Sequence, residues 1–231
     1  MKIKGVVLVT IAVITSLILP IVGCGPMSTR TYDFTDFTKV EIGSSFRFEV
    51  VQSDSYDVSI TAPETLFSLV QVSKDGDTLR VFQTGGMPPM GTHVKIMMPD
   101  LVAAKLSGSV KGSIKGFSSS HDFNLDVSGA SNVSVSIIAG DATLKVSGAS
   151  KVKLDGSAKN IAVDVSGAST FNLSGFAVND AKIVVSGASN AAINVMGRLD
   201  ADLSGASKLS YIGEPTMGDI STSGASTISK K

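Results

Sequence analysis

The 231-residue chain contains one cysteine, no tryptophan, three tyrosines and two histidines. A single cysteine forbids an internal disulfide, so stability has to come from packing and backbone pairing. His93 and His121 have no partners at metal-ligand spacing, and the sequence offers neither a metal site nor a cofactor motif. The glycine-aspartate nonapeptide of calcium-binding β-rolls is also missing. No charge sign dominates: 20 Lys and Arg face 20 Asp and Glu. Nucleic-acid binding needs a clustered positive surface, which the sequence does not announce. Ser-His-Asp catalysis needs one particular nucleophile, whereas serine here recurs as scaffold.

Charge is also absent from Gly5 to Gly23, a nearly uninterrupted apolar run behind the basic start Met1-Lys2-Ile3-Lys4. The run ends in Ile21-Val22-Gly23-Cys24, which resembles the lipobox of bacterial lipoproteins. Small residues before the cysteine let a signal peptidase approach the backbone. The expectation is a signal peptide over residues 1–23, with Cys24 lipidated as the first mature residue and the membrane as its partner. An uncleaved spanning anchor is the alternative, since the run is long enough to cross a bilayer. Both place the remainder outside the cytoplasm. Removing Lys2 and Lys4 leaves 18 basic against 20 acidic residues, a net charge of −2.

What the chain has in abundance is one repeated string. Ser-Gly-Ala-Ser begins at Ser128, Ser147, Ser166, Ser186, Ser204 and Ser223, preceded by a weaker Ser107-Gly108-Ser109, at intervals of 18 to 21 residues. Around each copy apolar residues alternate, as in Leu144, Val146, Val152 and Leu154 or Ile161, Val163, Val165, Phe171 and Leu173. Period two means strand. Antiparallel hairpins give no reason for a repeat of about 19 residues, while a parallel β-helix needs one repeat per coil. The sequence therefore predicts an all-β, right-handed parallel β-helix, with Ser-Gly-Ala-Ser stacked at a corner of each coil. By parity the glycine and second serine fall on the core side. The second-serine hydroxyls (Ser131, Ser150, Ser169, Ser189 and Ser207) are expected to bond backbone groups at the bend.

Residues 24–36 read as a tether, 37–104 as an irregular N-terminal β region and end cap, and 105–231 as the regular helix, continuous with the cap. In the cap, Val40, Ile42, Ser44, Phe46, Phe48 and Val50 read as one strand. Thr61-Ala62-Pro63-Glu64 has the form of a capping box opening a short helix near Glu64–Val70. Asp75-Gly76 signals a turn, Thr78–Gln83 and His93–Met98 read as strands, and Gly85–Gly91 as a loop. At the other end the regular pattern stops after Ile228, where Lys230 and Lys231 are expected to guard the edge against strand pairing.

With these residues in view the chain resembles the head GIN domain family, bacterial envelope proteins that carry an autotransporter-adhesin label. The matching features are Phe37-Thr38-Lys39-Val40, then Met98-Pro99-Asp100-Leu101 leading into Lys105-Leu106-Ser107-Gly108-Ser109, then the Ser-Gly-Ala-Ser coils. The resemblance implies a β-helical fold and an envelope location, and brings no catalytic residues.

The function expected is a non-enzymatic, lipid-anchored surface module for adhesion to a polymer or protein. Its candidate face is formed by the first serines (Ser128, Ser147, Ser166, Ser186, Ser204) and the residues following each copy (Asn132, Lys151, Thr170, Asn190, Lys208). Few aromatics are available to stack on sugars. One alternative is a polysaccharide-active enzyme using Asp126, Asp164 and Asp202, since some β-helices cleave pectin and paired carboxylates drive glycoside hydrolysis. The other is a structural envelope protein without a ligand.

Overall fold

A computed structural model describes residues 25–85 and 91–231. Cys24, the apolar run before it and residues 86–90 of the expected loop lie outside the described residues. The described residues form nineteen strands in one continuous sheet. Its N-terminal part holds β1 (Met27–Tyr32), β2 (Lys39–Ile42), β3 (Arg47–Gln52), β4 (Asp57–Pro63), β5 (Val70–Asp75), β6 (Thr78–Gln83) and β7 (His93–Met98). The repeats hold β8 (Ala103–Leu106), β9 (Lys111–Ser118), β10 (Phe123–Val127), β11 (Asn132–Ile138), β12 (Ala142–Val146), β13 (Lys151–Val165) and β14 (Thr170–Val185). They continue through β15 (Asn190–Val195), β16 (Arg198–Leu203), β17 (Lys208–Ile212), β18 (Thr216–Thr222) and β19 (Thr227–Lys230).

The strands stack as a parallel β-helix with two ladders. The first ladder runs β8, β10, β12, the second half of β13, the second half of β14, β16 and β18. The second runs β9, β11, the first half of β13, the first half of β14, β15, β17 and β19. Between the two in each coil lies the Ser-Gly-Ala-Ser corner. β-branched and aromatic side chains alternate inward on both ladders, so Phe123, Leu125, Val127, Val133, Val135 and their equivalents form one core along the axis. No coil could bury such a face alone; the stack completes it.

The corner is held from above and below. The N–H of each alanine donates to the glycine carbonyl one coil earlier, as Ala168 does to Gly148 at 2.8 Å. The second serine is buried from Ser131 to Ser207, and in Ser150, Ser169 and Ser207 its hydroxyl lies within donating reach of two carbonyls. Ser169 Oγ is 3.0 Å from Ser166 O in its own coil and 3.3 Å from Gly148 O in the coil before. That serine is on the core side, as parity required, but the glycine is not. Gly167 adopts φ +81° and is exposed. A residue in that left-handed conformation turns the chain outward for two positions before the serine returns it to the core. The glycine is required by the coil beneath, because a Cβ on Gly167 would sit 2.3 Å from Gly148 O.

The N-terminal region departs from the expectation in four places. The strand read through Ser44 is broken there: Ser44 has φ +71° and forms a corner between β2 and β3, with Gly108 stacked on it. The coils also stack out of chain order. β2 pairs with both β6 and β8, and β3 with both β7 and β9, so the 39–52 coil is held between two later ones. The helix is a single 3-10 segment, Glu64–Leu69, capped by no side chain. Thr61 belongs to strand β4, where its Oγ1 is 2.8 Å from Thr29 Oγ1, and the Glu64 carboxylate accepts from Ser28 and Arg30 instead. Finally, Met27–Tyr32 within the presumed tether is strand β1, paired antiparallel to β4. The Asp75-Gly76 turn and the strands Thr78–Gln83 and His93–Met98 are where the sequence put them.

Candidate functional site

Outward residues of each ladder fall into rows parallel to the axis, because the pairing keeps them in register. On the first ladder the central row reads Arg80, Glu41, Lys105, Asp126, Lys145, Asp164, Val184 and Asp202. Opposite signs alternate along it and neutralise one another, as cross-strand pairs favour. Glu41 is ion-paired with Arg80 at 3.2 Å and with Lys105 at 2.9 Å, and the hydrogen bond that Lys105 donates to Glu41 holds the Lys105 ammonium above the ordinary lysine range. Asp126 and Asp164 stand two strands apart with Lys145 between them, and Val184 separates Asp164 from Asp202.

The second ladder is different. Its first outward row reads His93, Arg47, Lys111, Asn132, Lys151, Thr170, Asn190, Lys208 and Thr227. Not one acid occurs in it. Arg47, Lys111, Lys151 and Lys208 are exposed and take part in none of the ion pairs among the described residues. Their charges are therefore offered to solvent. Between the cations stand only amides and hydroxyls, groups that donate and accept hydrogen bonds. A shallow hollow of about 220 Å3 lies alongside, bounded by Thr170, Asn172, Asn190, Ala192, Lys208 and Ser210.

Every residue that follows a Ser-Gly-Ala-Ser copy in the expected face belongs to this row. Asn132, Lys151, Thr170, Asn190 and Lys208 are exposed and consecutive along it. The first serines, Ser128, Ser147, Ser166, Ser186 and Ser204, form their own column at the end of the first ladder, half-buried and across the corner from the row. Sequence reasoning missed Lys111, Arg47 and His93, because their corners do not spell Ser-Gly-Ala-Ser. The available signal was the shape Ile42-Gly43-Ser44-Ser45-Phe46-Arg47, which matches Val-Ser-Gly-Ala-Ser-x in its leading apolar and three small positions, with Phe46 in place of the second serine. A second column was also missed: Asp122, Asp141 and Asn160 recur with the repeat at the opposite turn. There Asp122 accepts from the Asp141 N–H at 3.0 Å, and Asp141 accepts from the Asn160 amide at 3.0 Å. Its carboxylates hold turns together, and among the described residues no group of three or more His, Cys, Asp or Glu is placed to bind an ion.

The family described as "Putative auto-transporter adhesin, head GIN domain" matches residues 36–215. The chain belongs to that family. A putative adhesin from Bacteroides fragilis NCTC 9343, known from its crystal structure, superposes with a TM-score of 0.84 at 22% identity, over 89% of this chain and 97% of that one. A putative adhesin from Parabacteroides merdae ATCC 43184 gives 0.68 at 20% identity, and one from Parabacteroides distasonis ATCC 8503 gives 0.68 at 19%, each over 90% of this chain and 98% of its own. At such identities the likeness is one of fold. No curated protein matches the chain. Among the described residues of this GIN-domain protein, no helix is long and apolar enough to cross a membrane.

Proposed function

We propose that this GIN-domain protein is a non-enzymatic adhesin of the bacterial cell envelope, anchored outside the cytoplasm by lipid on Cys24, and that it engages surface ligands through the acid-free row on its second ladder. The observation that carries the reading is that row. A rigid solenoid holds Arg47, Lys111, Lys151 and Lys208 on one line with no counter-charge, whereas the other ladder neutralises itself. Surface charge left unpaired on a rigid element is available to steer and orient a partner. The lipobox supports the anchor, and Gly25 and Pro26 alone separate Cys24 from strand β1, so the anchor joins the rod at one end. The domain boundaries follow: signal peptide 1–23, anchor and first strand 24–36, N-terminal β region 37–104, regular helix 105–231.

Two measurements test this. Expressed in a bacterial host, the wild type incorporates labelled fatty acid and resides in the membrane fraction, while Cys24→Ser loses both; label retained by the variant refutes the anchor. Cells displaying the protein adhere to polymer-coated surfaces, and charge reversal of Lys111, Lys151 and Lys208 abolishes the gain. Adhesion unaffected by that reversal refutes the face.

A further inference from the structure

We infer that the ligand of the second ladder is a linear acidic polysaccharide lying along the rod axis, an assignment that rests on the adhesin reading above. The row's composition is the first argument. Its cations require an anion, and the intervening Asn132, Thr170, Asn190 and Thr227 present amide and hydroxyl groups suited to a polyhydroxylated chain. Spacing is the second. Successive coils lie roughly 4.8 Å apart. Lys111 and Lys151 are two coils apart, with Asn132 between them. That separation, roughly 10 Å, is comparable with two linked pyranose rings, so acids on every second ring, or alternate acids of a polyuronate, can meet Lys111 and Lys151. Lys208 follows three coils beyond Lys151, across Thr170 and Asn190. The hollow beside Thr170, Asn190 and Lys208 gives a ring somewhere to settle.

The same features disfavour a nucleic acid. A strand carries one phosphate about every 3.4 Å, denser than this row, where Arg47 adjoins Lys111 but Lys151 and Lys208 follow only two and three coils further on. Single-stranded nucleic acids are also held by aromatic platforms, and no Phe, Tyr or Trp occurs in the row or in the outward row next to it, which runs from Lys95 and Glu49 through Ser113, Ser134 and Lys153 to Ser210. The self-neutralised first ladder serves as an internal control.

The test uses the full chain in detergent, titrated with polygalacturonate, chondroitin sulfate, neutral dextran and oligo-dT at 50 and 300 mM NaCl. The inference expects binding to at least one acidic glycan, weakened at least about tenfold by the higher salt. Exposed ion pairs contribute little singly, so the variant Lys111→Gln/Lys151→Gln/Lys208→Gln is expected to lose about tenfold or more. The first-ladder variant Lys105→Gln/Lys145→Gln should stay within twofold, and dextran should not bind. Chondroitin sulfate carries a carboxylate and a sulfate per disaccharide and polygalacturonate carboxylates alone, so a preference for the former shows that the sulfate adds to recognition. Absence of binding to both acidic glycans, equal loss in the two variants, or tighter binding to oligo-dT overturns it. If the glycans fail while displayed protein still adheres in a manner lost on Lys111, Lys151 and Lys208 reversal, the ligand class falls and the adhesin reading stands.

Discussion

Replacing Gly167 by alanine separates two costs that the corner combines. The first is conformational: φ is +81°, and a residue with a Cβ in such a region carries about 1–3 kcal/mol of strain. The second is steric. The added Cβ would lie 2.3 Å from Gly148 O, the atom that accepts from both Ala168 N–H and Ser169 Oγ. Relief requires the coils to part, which stretches both bonds, each contributing about 0.5–1.5 kcal/mol net. Together Gly167→Ala is expected to destabilise by about 2–6 kcal/mol, and Gly167→Val by more. Gly76 is the control: its φ is +58°, but a Cβ there meets nothing within 4 Å, so Gly76→Ala bears strain alone. Ser44 shows why the terms differ. It tolerates φ +71° with a side chain, and its Oγ accepts from the Gln83 N–H. Urea denaturation followed by circular dichroism gives both values. If Gly167→Ala costs no more than Gly76→Ala, the stacked-corner argument is refuted.

Ser169→Ala should cost about 1–3 kcal/mol, since a buried hydroxyl with two carbonyls in reach is removed; no change in the urea midpoint would show the hydroxyl column to be decorative. Phe171→Ala opens a cavity among fully buried neighbours and should cost about 3–5 kcal/mol, read in the same assay. Acid sensitivity follows from carboxylates held below their usual range: Asp200 by its bond from Arg198, and Glu49 by its bond from Lys115. A depressed folded-state value gives stability that is present above the unfolded carboxylate value and lost as pH falls through the folded one, here below about pH 4. Arg198→Gln should flatten part of that acid limb in pH-dependent urea midpoints, and an unchanged limb would remove Asp200 from the account.

Much of the rod could be read before any coordinates, because the same string marks each coil and period two fixes inside and outside. Ser131, Ser150, Ser169, Ser189 and Ser207 are buried and bonded as parity required. Parity failed at the glycines, since a left-handed residue breaks the alternation on which it depends. It failed at Ser44 for the same reason: an alternating pattern crosses a corner unchanged when the corner lacks glycine at the turning position. The Thr61–Glu64 pattern was misread because Thr61 and Ala62 were already committed to β4 by its pairing with β1 and β7. Most of the candidate row was visible as the residue after each repeat. Lys111 was not, because it follows the degenerate Ser107-Gly108-Ser109 corner, and Arg47 and His93 depend on coils that stack out of chain order, which no local pattern encodes.

That swapped order bears on how the molecule is made. The 39–52 coil has later strands on both sides, so it cannot complete its edges until residues up to about 118 have arrived. Contacts this distant in sequence slow folding, since loop closure must be met before pairing rewards it. Beyond β9 each coil needs only the one just laid down. The chain thus has a slow, interlocked foundation in its N-terminal part and a zipper beyond it. Whole C-terminal repeats should be removable one at a time, leaving shorter rods, whereas excision of any strand between β2 and β9 should deny the zipper its starting surface.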